Sequence, residues 1–327
     1  MKQTLYCEIK FLTDFFDHRP RLEVENPFSE DSSVEIWKKY RDMILKNADI
    51  KLDVKPETFF NTNNPFINML KKKKGDGEIQ IKFNKFPVYF KEEMSHSFIF
   101  LADSIKARQT EDDYGMICIS SENYMEHAGF LFSTETFCSI DENTNWDILK
   151  AFKHPCHSII IIDNYILSKP EEVLKESIMA ILLALLPEKL NKRNFSISIY
   201  TVKPVKRNTM ADDEYNELME TVMDRKSIVE NTIKAIRKPY KIDVSIKWSR
   251  SQHDRSLLTN YCLFDSGYGF VLEEKEKKKG TSLHINRITQ PQVLQAIILL
   301  KDRIQTRYPN ASARQLNWSQ KKWNSKR

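Results

Sequence analysis

The residues best suited to chemistry fall in one short stretch: His253-Asp254-Arg255, then Asn260 after four intervening residues, then Gly267-Tyr268-Gly269-Phe270 after six more. An imidazole, a guanidinium and a side-chain amide at these positions can surround an anion. The guanidinium is the strongest of the three, because its fork of N–H donors can hold two phosphoryl oxygens at once. The expectation is that His253, Arg255, Asn260 and Gly267 meet at one mouth of a sheet as a phosphate site, with His253 as the candidate catalytic group. The competing reading is structural: Asp254 pairs with Arg255 or Arg250, and His253 is a satisfied edge or core histidine.

A second group of candidate binding residues lies near the end of the chain. Residues 301–327 carry eight Lys or Arg against the single acid Asp302, so the formal charge of +6 resides there and the rest of the chain is close to neutral. Arg314, Trp318, Lys321, Lys322 and Trp323 interleave indoles with cations, a pattern that suits phosphate neutralisation combined with base stacking. The alternatives are insertion at an anionic membrane surface and a solubilising terminus. His154-Pro155-Cys156-His157 crowds three potential metal ligands, but a site would need further ligands from elsewhere. No metal or other cofactor is expected.

These candidates need elements to position them. Ser158 to Asp163 contains four consecutive isoleucines and reads as a strand buried on both faces. A helix follows from Ser168-Lys169-Pro170-Glu171 to Pro187, then a strand over Phe195–Val202, a long amphipathic helix over Asp212–Arg237, a strand over Lys241–Trp248 and another over Leu257–Phe264. The order describes helices packed on a mixed sheet. The first 150 residues read as an α+β domain. Its strands are expected over Thr4–Phe11, Ile79–Phe83, Ser97–Leu101 and Met116–Ser120, its helix over Ser32–Lys46, and Lys71–Gly77 is read as an exposed turn. Domains are thus expected over residues 1–150, 151–300 and a basic tail over 301–327.

The spacing of the central stretch resembles the phospholipase D superfamily signature, His-x-Lys, four residues, Asp, six residues, Gly-Ser-x-Asn. Here Arg255 stands for the Lys, Asn260 for the Asp, Tyr268 for the Ser and Phe270 for the Asn. Asp163-Asn164-Tyr165 also resembles the Asp-Pro-Tyr that follows the opening strand in that superfamily. The His-Asp-Arg form is similar to the degenerate, non-hydrolytic domains at the C-terminus of some microtubule-interacting-and-trafficking proteins, and to prokaryotic relatives that accompany defence genes. The resemblance covers about residues 155–300. It implies an α/β fold with a phospholipase D-like half-domain.

It also implies a mechanism against which the substitutions can be weighed. In the active enzymes one histidine attacks phosphorus, a second protonates the leaving oxygen, and paired lysines hold the phosphoryl oxygens. One chain supplies one such histidine, so a complete site would need a homodimer with two His253 rings facing each other. Arg255 keeps the capacity to hold phosphate. Asn260 cannot supply a charge to orient an imidazole, an effect whose loss costs about 10⁴ in turnover in a serine protease triad.

The reading is therefore a phosphate- or nucleic-acid-binding or assembly subunit, set in prokaryotic antiviral defence, with a partner protein or a second copy. The alternatives are a homodimeric, metal-independent phosphodiesterase or nuclease using His253, and a membrane-surface module. Five scattered cysteines without a C-x-x-C pair fit a reducing cytoplasm. The longest apolar run, Ile178 to Leu186, is too short to span a bilayer.

Overall fold

A computed structural model describes residues 3–20, 32–46, 48–83, 96–133, 136–141, 144–206, 208–249 and 255–306. The chain builds two sheets. The first has five strands, β1 (Gln3–Cys7), β2 (Ala48–Leu52), β3 (Ile81–Phe83), β4 (Phe98–Phe100) and β5 (Cys118–Ile119), in the order β3-β2-β1-β4-β5. Every pairing in it is parallel. Parallel neighbours need crossovers, and helices supply them: α1 (Ile9–Asp17) and α2 (Ser32–Lys46) lead to β2, α3 (Pro56–Asn61) and α4 (Pro65–Gly75) to β3, and α5 (Ser104–Tyr114) to β5, after which α6 (Tyr124–Leu131) follows. This half is accordingly α/β, which corrects the α+β expectation.

Two local expectations change with it. The strand expected over Thr4–Phe11 stops at Cys7, because Phe11, Leu12 and Phe15 lie at helical spacing and are buried from α1. Phe15 stacks on Trp37 at 5.3 Å, and Trp37 Nε1 donates to the Phe15 carbonyl at 3.0 Å. The lysines from Lys71 onward form no loop tip but the end of α4. That helix opens with Asn64, whose side chain accepts from Phe66 N and Ile67 N, and with Pro65 in the first turn. The lysines sit at the negative end of its dipole, where cations are favoured.

The second sheet has seven strands, β6 (Thr136–Ile140), β7 (Ser158–Ile162), β8 (Phe195–Val202), β9 (Ile242–Ser249), β10 (Ser256–Leu258), β11 (Cys262–Ser266) and β12 (Thr281–Arg287), in the order β6-β12-β11-β10-β7-β8-β9. β7, β8 and β9 run parallel, joined through α7 (Glu171–Leu185) and α8 (Asp212–Lys234). β10, β11, β12 and β6 pair antiparallel. Ile159 and Ile161 face a core shared with α7 and α8, whereas Ile162 faces the core of the first sheet and of α10 (Pro291–Thr306). The isoleucine run is thus buried on both faces. β6 lies before residue 150 yet belongs to this second sheet, so the sheets divide near residue 135.

The expected strand over Leu257–Phe264 is instead a hairpin. Thr259 Oγ1 accepts from Tyr261 N at 3.2 Å and from Cys262 N at 3.0 Å, so a side chain reverses the backbone where no Gly or Pro announces it. Tyr261 then joins the sheets. Its hydroxyl donates to Ser97 O and accepts from Ile117 N, and its ring stacks on Phe98 at 5.2 Å.

Candidate functional site

Parallel strands gather their following loops at their carboxyl ends, where open α/β sheets take ligands. At this edge of the second sheet β7 ends in Asp163, β10 begins after Arg255, and β11 delivers Ser266-Gly267-Tyr268-Gly269. Arg255 Nη1 donates to the Gly267 carbonyl at 2.5 Å, and its guanidinium carbon lies 5.4 Å from the centre of the Tyr165 ring. Among the described residues that carbonyl is the one hydrogen-bond acceptor of the guanidinium. Tyr165 is 55% exposed, and Tyr268, which follows Gly267 in the chain, is 45% exposed.

Asp163 holds this mouth in shape. It is buried, its Oδ1 accepts from Tyr165 N at 3.0 Å and its Oδ2 from Phe270 N at 3.0 Å. Burial pushes its carboxyl up, while these N–H donors and Arg255 pull it back. The approach of the opposite backbone requires glycine. At Gly269, with φ of +101°, a Cβ would lie 2.4 Å from Asp163 Oδ2 and 3.4 Å from Arg255 Cδ. Ser266 Oγ donates to the Gly269 carbonyl at 2.6 Å and accepts from Gly269 N at 3.1 Å, closing the loop on itself.

Of the four residues expected to converge, Arg255 and Gly267 are brought together. Asn260 is not at this mouth. β10 pairs antiparallel with β7, with Ser256 opposite Ile162 and Leu258 opposite Ile160. Asn260 therefore lies beside the start of β7, five residues and about 16 Å of strand from Arg255. There it is a buried clamp: Oδ1 accepts from His157 N at 2.7 Å and Ser158 N at 3.1 Å, and Nδ2 donates to His157 Nε2 at 3.0 Å. His253 and Asp254 lie outside the described residues, as do Arg314, Trp318, Lys321, Lys322 and Trp323.

The clamp belongs to a directional chain between the sheets. Lys301 Nζ donates to His96 Nε2 at 2.6 Å, His96 Nδ1 donates to the Asn260 carbonyl at 2.7 Å, and Asn260 donates on to His157. These contacts fix both rings as neutral tautomers. Burial together with nearby cations holds both well below the ordinary histidine range. His154 is also spoken for: Nδ1 donates to Phe152 O at 2.7 Å, Nε2 accepts from Thr259 at 2.9 Å, and burial pushes its pKa down to about 4. Cys156 Sγ lies 3.8 Å from the Leu185 carbonyl. The His-Pro-Cys-His cluster is thus divided among separate packing roles, and among the described residues no group of three or more His, Cys, Asp or Glu is placed to hold a metal ion.

Residues 301–306, expected as the start of the basic tail, continue α10, and Ile304 is buried. In the first sheet the strand order reverses between β1 and β4, and Glu8 stands in that crevice. It accepts from Ala102 N at 2.8 Å and from the Lys106 ammonium, while Asp103 caps α5 and Glu122 takes the Ser104 hydroxyl. These carboxylates are engaged by the protein's own donors. Among the described residues no helix is long and apolar enough to cross a membrane.

Sequence reasoning missed Tyr165, Tyr268 and Gly269 as parts of the mouth. Their signal was present in Asp163-Asn164-Tyr165 and Gly267-Tyr268-Gly269, where an exposed aromatic residue adjoins each turn. No protein-family model and no curated protein sequence matches the chain.

Proposed function

We propose that the mouth around Arg255 binds the phosphates of a single-stranded nucleic acid, in a non-hydrolytic phospholipase D-like module that acts as a subunit of a larger assembly. One observation carries this reading: a guanidinium anchored by the Gly267 carbonyl lies over the solvent-exposed Tyr165 ring, and the residue that follows Gly267 in the chain is the exposed Tyr268. A cation for phosphate beside aromatic faces for bases is the combination that holds single strands. The basic tail from residue 307, with Trp318 and Trp323, adds further phosphate neutralisation along the strand. Prokaryotic antiviral defence is the setting that the resemblance to phospholipase D-like relatives suggests.

The test is fluorescence anisotropy of a labelled oligonucleotide with the full chain across a salt series. Expected are a steep loss of affinity with salt and a loss of about ten- to a hundredfold in Arg255→Ala, the worth of one charge-assisted contact. A chain ending at Thr306 keeps the fold and loses part of the salt slope. Binding indifferent to salt and to Arg255→Ala overturns the proposal. The same samples decide the hydrolytic alternative: cleavage of the oligonucleotide that withstands chelator and disappears in His253→Ala establishes it in place of simple binding.

A further inference from the structure

Behind the mouth, the segment from Gly269 to Leu272 leads to a separate cleft of about 350 Å³. It lies between the short helical turn Trp146–Phe152, α7 and the start of α9 (Glu274–Lys277). Its volume is at the lower end of the range of about 300–1,000 Å³ for small-molecule sites. Four carboxylates line it, Asp141, Asp147, Glu176 and Glu274, against one ammonium, Lys277. Lys277 already pairs with Glu274 at 3.0 Å and Asp147 with Lys150 at 3.0 Å. Glu176 has no ion-pair partner among the described residues.

Two further groups on its lining point to a ligand. Trp146 is 5% exposed and Ser177 6% exposed, and neither the indole N–H nor the hydroxyl has a hydrogen-bond partner among the described residues. Neither atom is among the described side-chain atoms that are fully enclosed without a partner, so both keep contact with solvent, and Trp N–H groups in largely buried rings usually find an acceptor. The indole can only donate, so it asks for an acceptor. The carboxylate rim asks for a cation and disfavours an anion.

We infer that this cleft binds a small organic cation that also carries a hydrogen-bond acceptor, such as an amide carbonyl on a guanidinium- or ammonium-bearing stem. The acceptor meets the Trp146 indole and the Ser177 hydroxyl, and the cationic head reaches Glu176. The inference does not rest on the nucleic-acid reading, since the two sites use different residues and opposite charge.

Isothermal titration of the full chain with L-argininamide, agmatine and L-glutamate tests it. Agmatine keeps the cation and lacks the acceptor; L-glutamate reverses the charge. Expected are saturable binding of L-argininamide, weaker binding of agmatine and none of L-glutamate. Trp146→Phe, which keeps the ring and removes the donor, brings L-argininamide to the agmatine level, a change of about two- to tenfold. Glu176→Gln weakens both cations by about two- to fivefold. Ser177→Ala, a small change on α7, provides a second variant with the same direction of effect should Trp146→Phe unfold the chain. Absence of saturable binding by either cation overturns the inference. So does equal affinity for L-argininamide and agmatine in the unmodified protein, or affinity that none of the three substitutions changes. In Arg255→Ala, binding of L-argininamide is unchanged, which keeps failure here distinct from failure at the mouth.

Discussion

Replacing Asn260 with alanine separates a packing role from a ligand-binding role. The side chain satisfies two backbone N–H groups, those of His157 and Ser158, and gives its own N–H to His157 Nε2. Asn260 and His157 are buried, with 1% and 5% exposure. Alanine leaves three polar groups without partners, each costing about 1–3 kcal/mol, and the expected loss is about 3–9 kcal/mol. Against a total stability of about 5–15 kcal/mol for an ordinary domain, that is a large share. Urea unfolding followed by circular dichroism reads it as a lowered midpoint with an unchanged slope. Oligonucleotide affinity, measured in the cold where the variant remains folded, stays within about twofold because Arg255 sits at the other end of β10. Asn260→Asp keeps an oxygen that accepts from both N–H groups and replaces the amide donor with a second acceptor, so His157 must move its proton to Nε2, with Lys301 and Arg193 near enough to His157 to temper the buried charge. It should lose less than alanine. A stable Asn260→Ala protein, within about 1 kcal/mol of the parent, whose oligonucleotide affinity has fallen tenfold would refute this reasoning.

Three further expectations follow from the same contacts. Gly269→Ala drives a Cβ toward Asp163 Oδ2 at 2.4 Å from a positive-φ backbone and should cost about 2–4 kcal/mol in urea unfolding; an unchanged midpoint would mean that Asp163 is not held there. Tyr165→Ala and Tyr268→Ala should each weaken single-stranded oligonucleotide binding by the worth of one stacked base, about 1–3 kcal/mol, with little effect on a duplex; equal losses on both ligands count against stacking. His154, with its pKa lowered from 6.5 to about 4 by burial, should stay neutral in NMR titrations down to that pH. The unfolded chain then binds the extra proton first, so this residue's contribution to stability declines as pH falls below about 6.5. The decline is about 2 kcal/mol by pH 5 and is complete below about 4. Titration of the ring near 6.5 would show that it is exposed.

The legible parts of the fold were those where burial imposes one uninterrupted period. β7, α7, β8, α8 and β9 lie within a few residues of their expected spans, since isoleucine runs and long amphipathic faces leave little choice. The first half was harder because its strands are two to five residues long and several helices are short, giving a periodic pattern little room. α4 carries a helix start in Asn64-Pro65, but its four consecutive lysines have the composition of an exposed turn. The hairpin was obscured for a different reason. Leu257, Leu258, Tyr261, Cys262, Leu263 and Phe264 are all buried, and the only polar break between them is Thr259-Asn260, whose turn is made by a threonine hydroxyl.

That hairpin changes what the spacing of the central stretch means. From Arg255 the chain runs down β10 to Asn260 and returns up β11 to Gly267, where the Arg255 guanidinium meets the glycine carbonyl. Four residues and then six are what one short antiparallel excursion needs to place positions 255 and 267 side by side and position 260 at the foot. The spacing is therefore a constraint on the backbone, and the residue at the foot answers to the core rather than to a ligand. Asn260 fits its place because an amide can accept from two backbone N–H groups with its oxygen while donating to a neutral imidazole with its nitrogen, which a carboxylate cannot do without shifting a proton. The amide at this position thus bears on how β7 is pinned to the hairpin and is silent on phosphoryl chemistry. The proposed anion binding at the mouth rests instead on Arg255, held by the Gly267 carbonyl over the Tyr165 ring, and on Asp163, which fixes the loops around it.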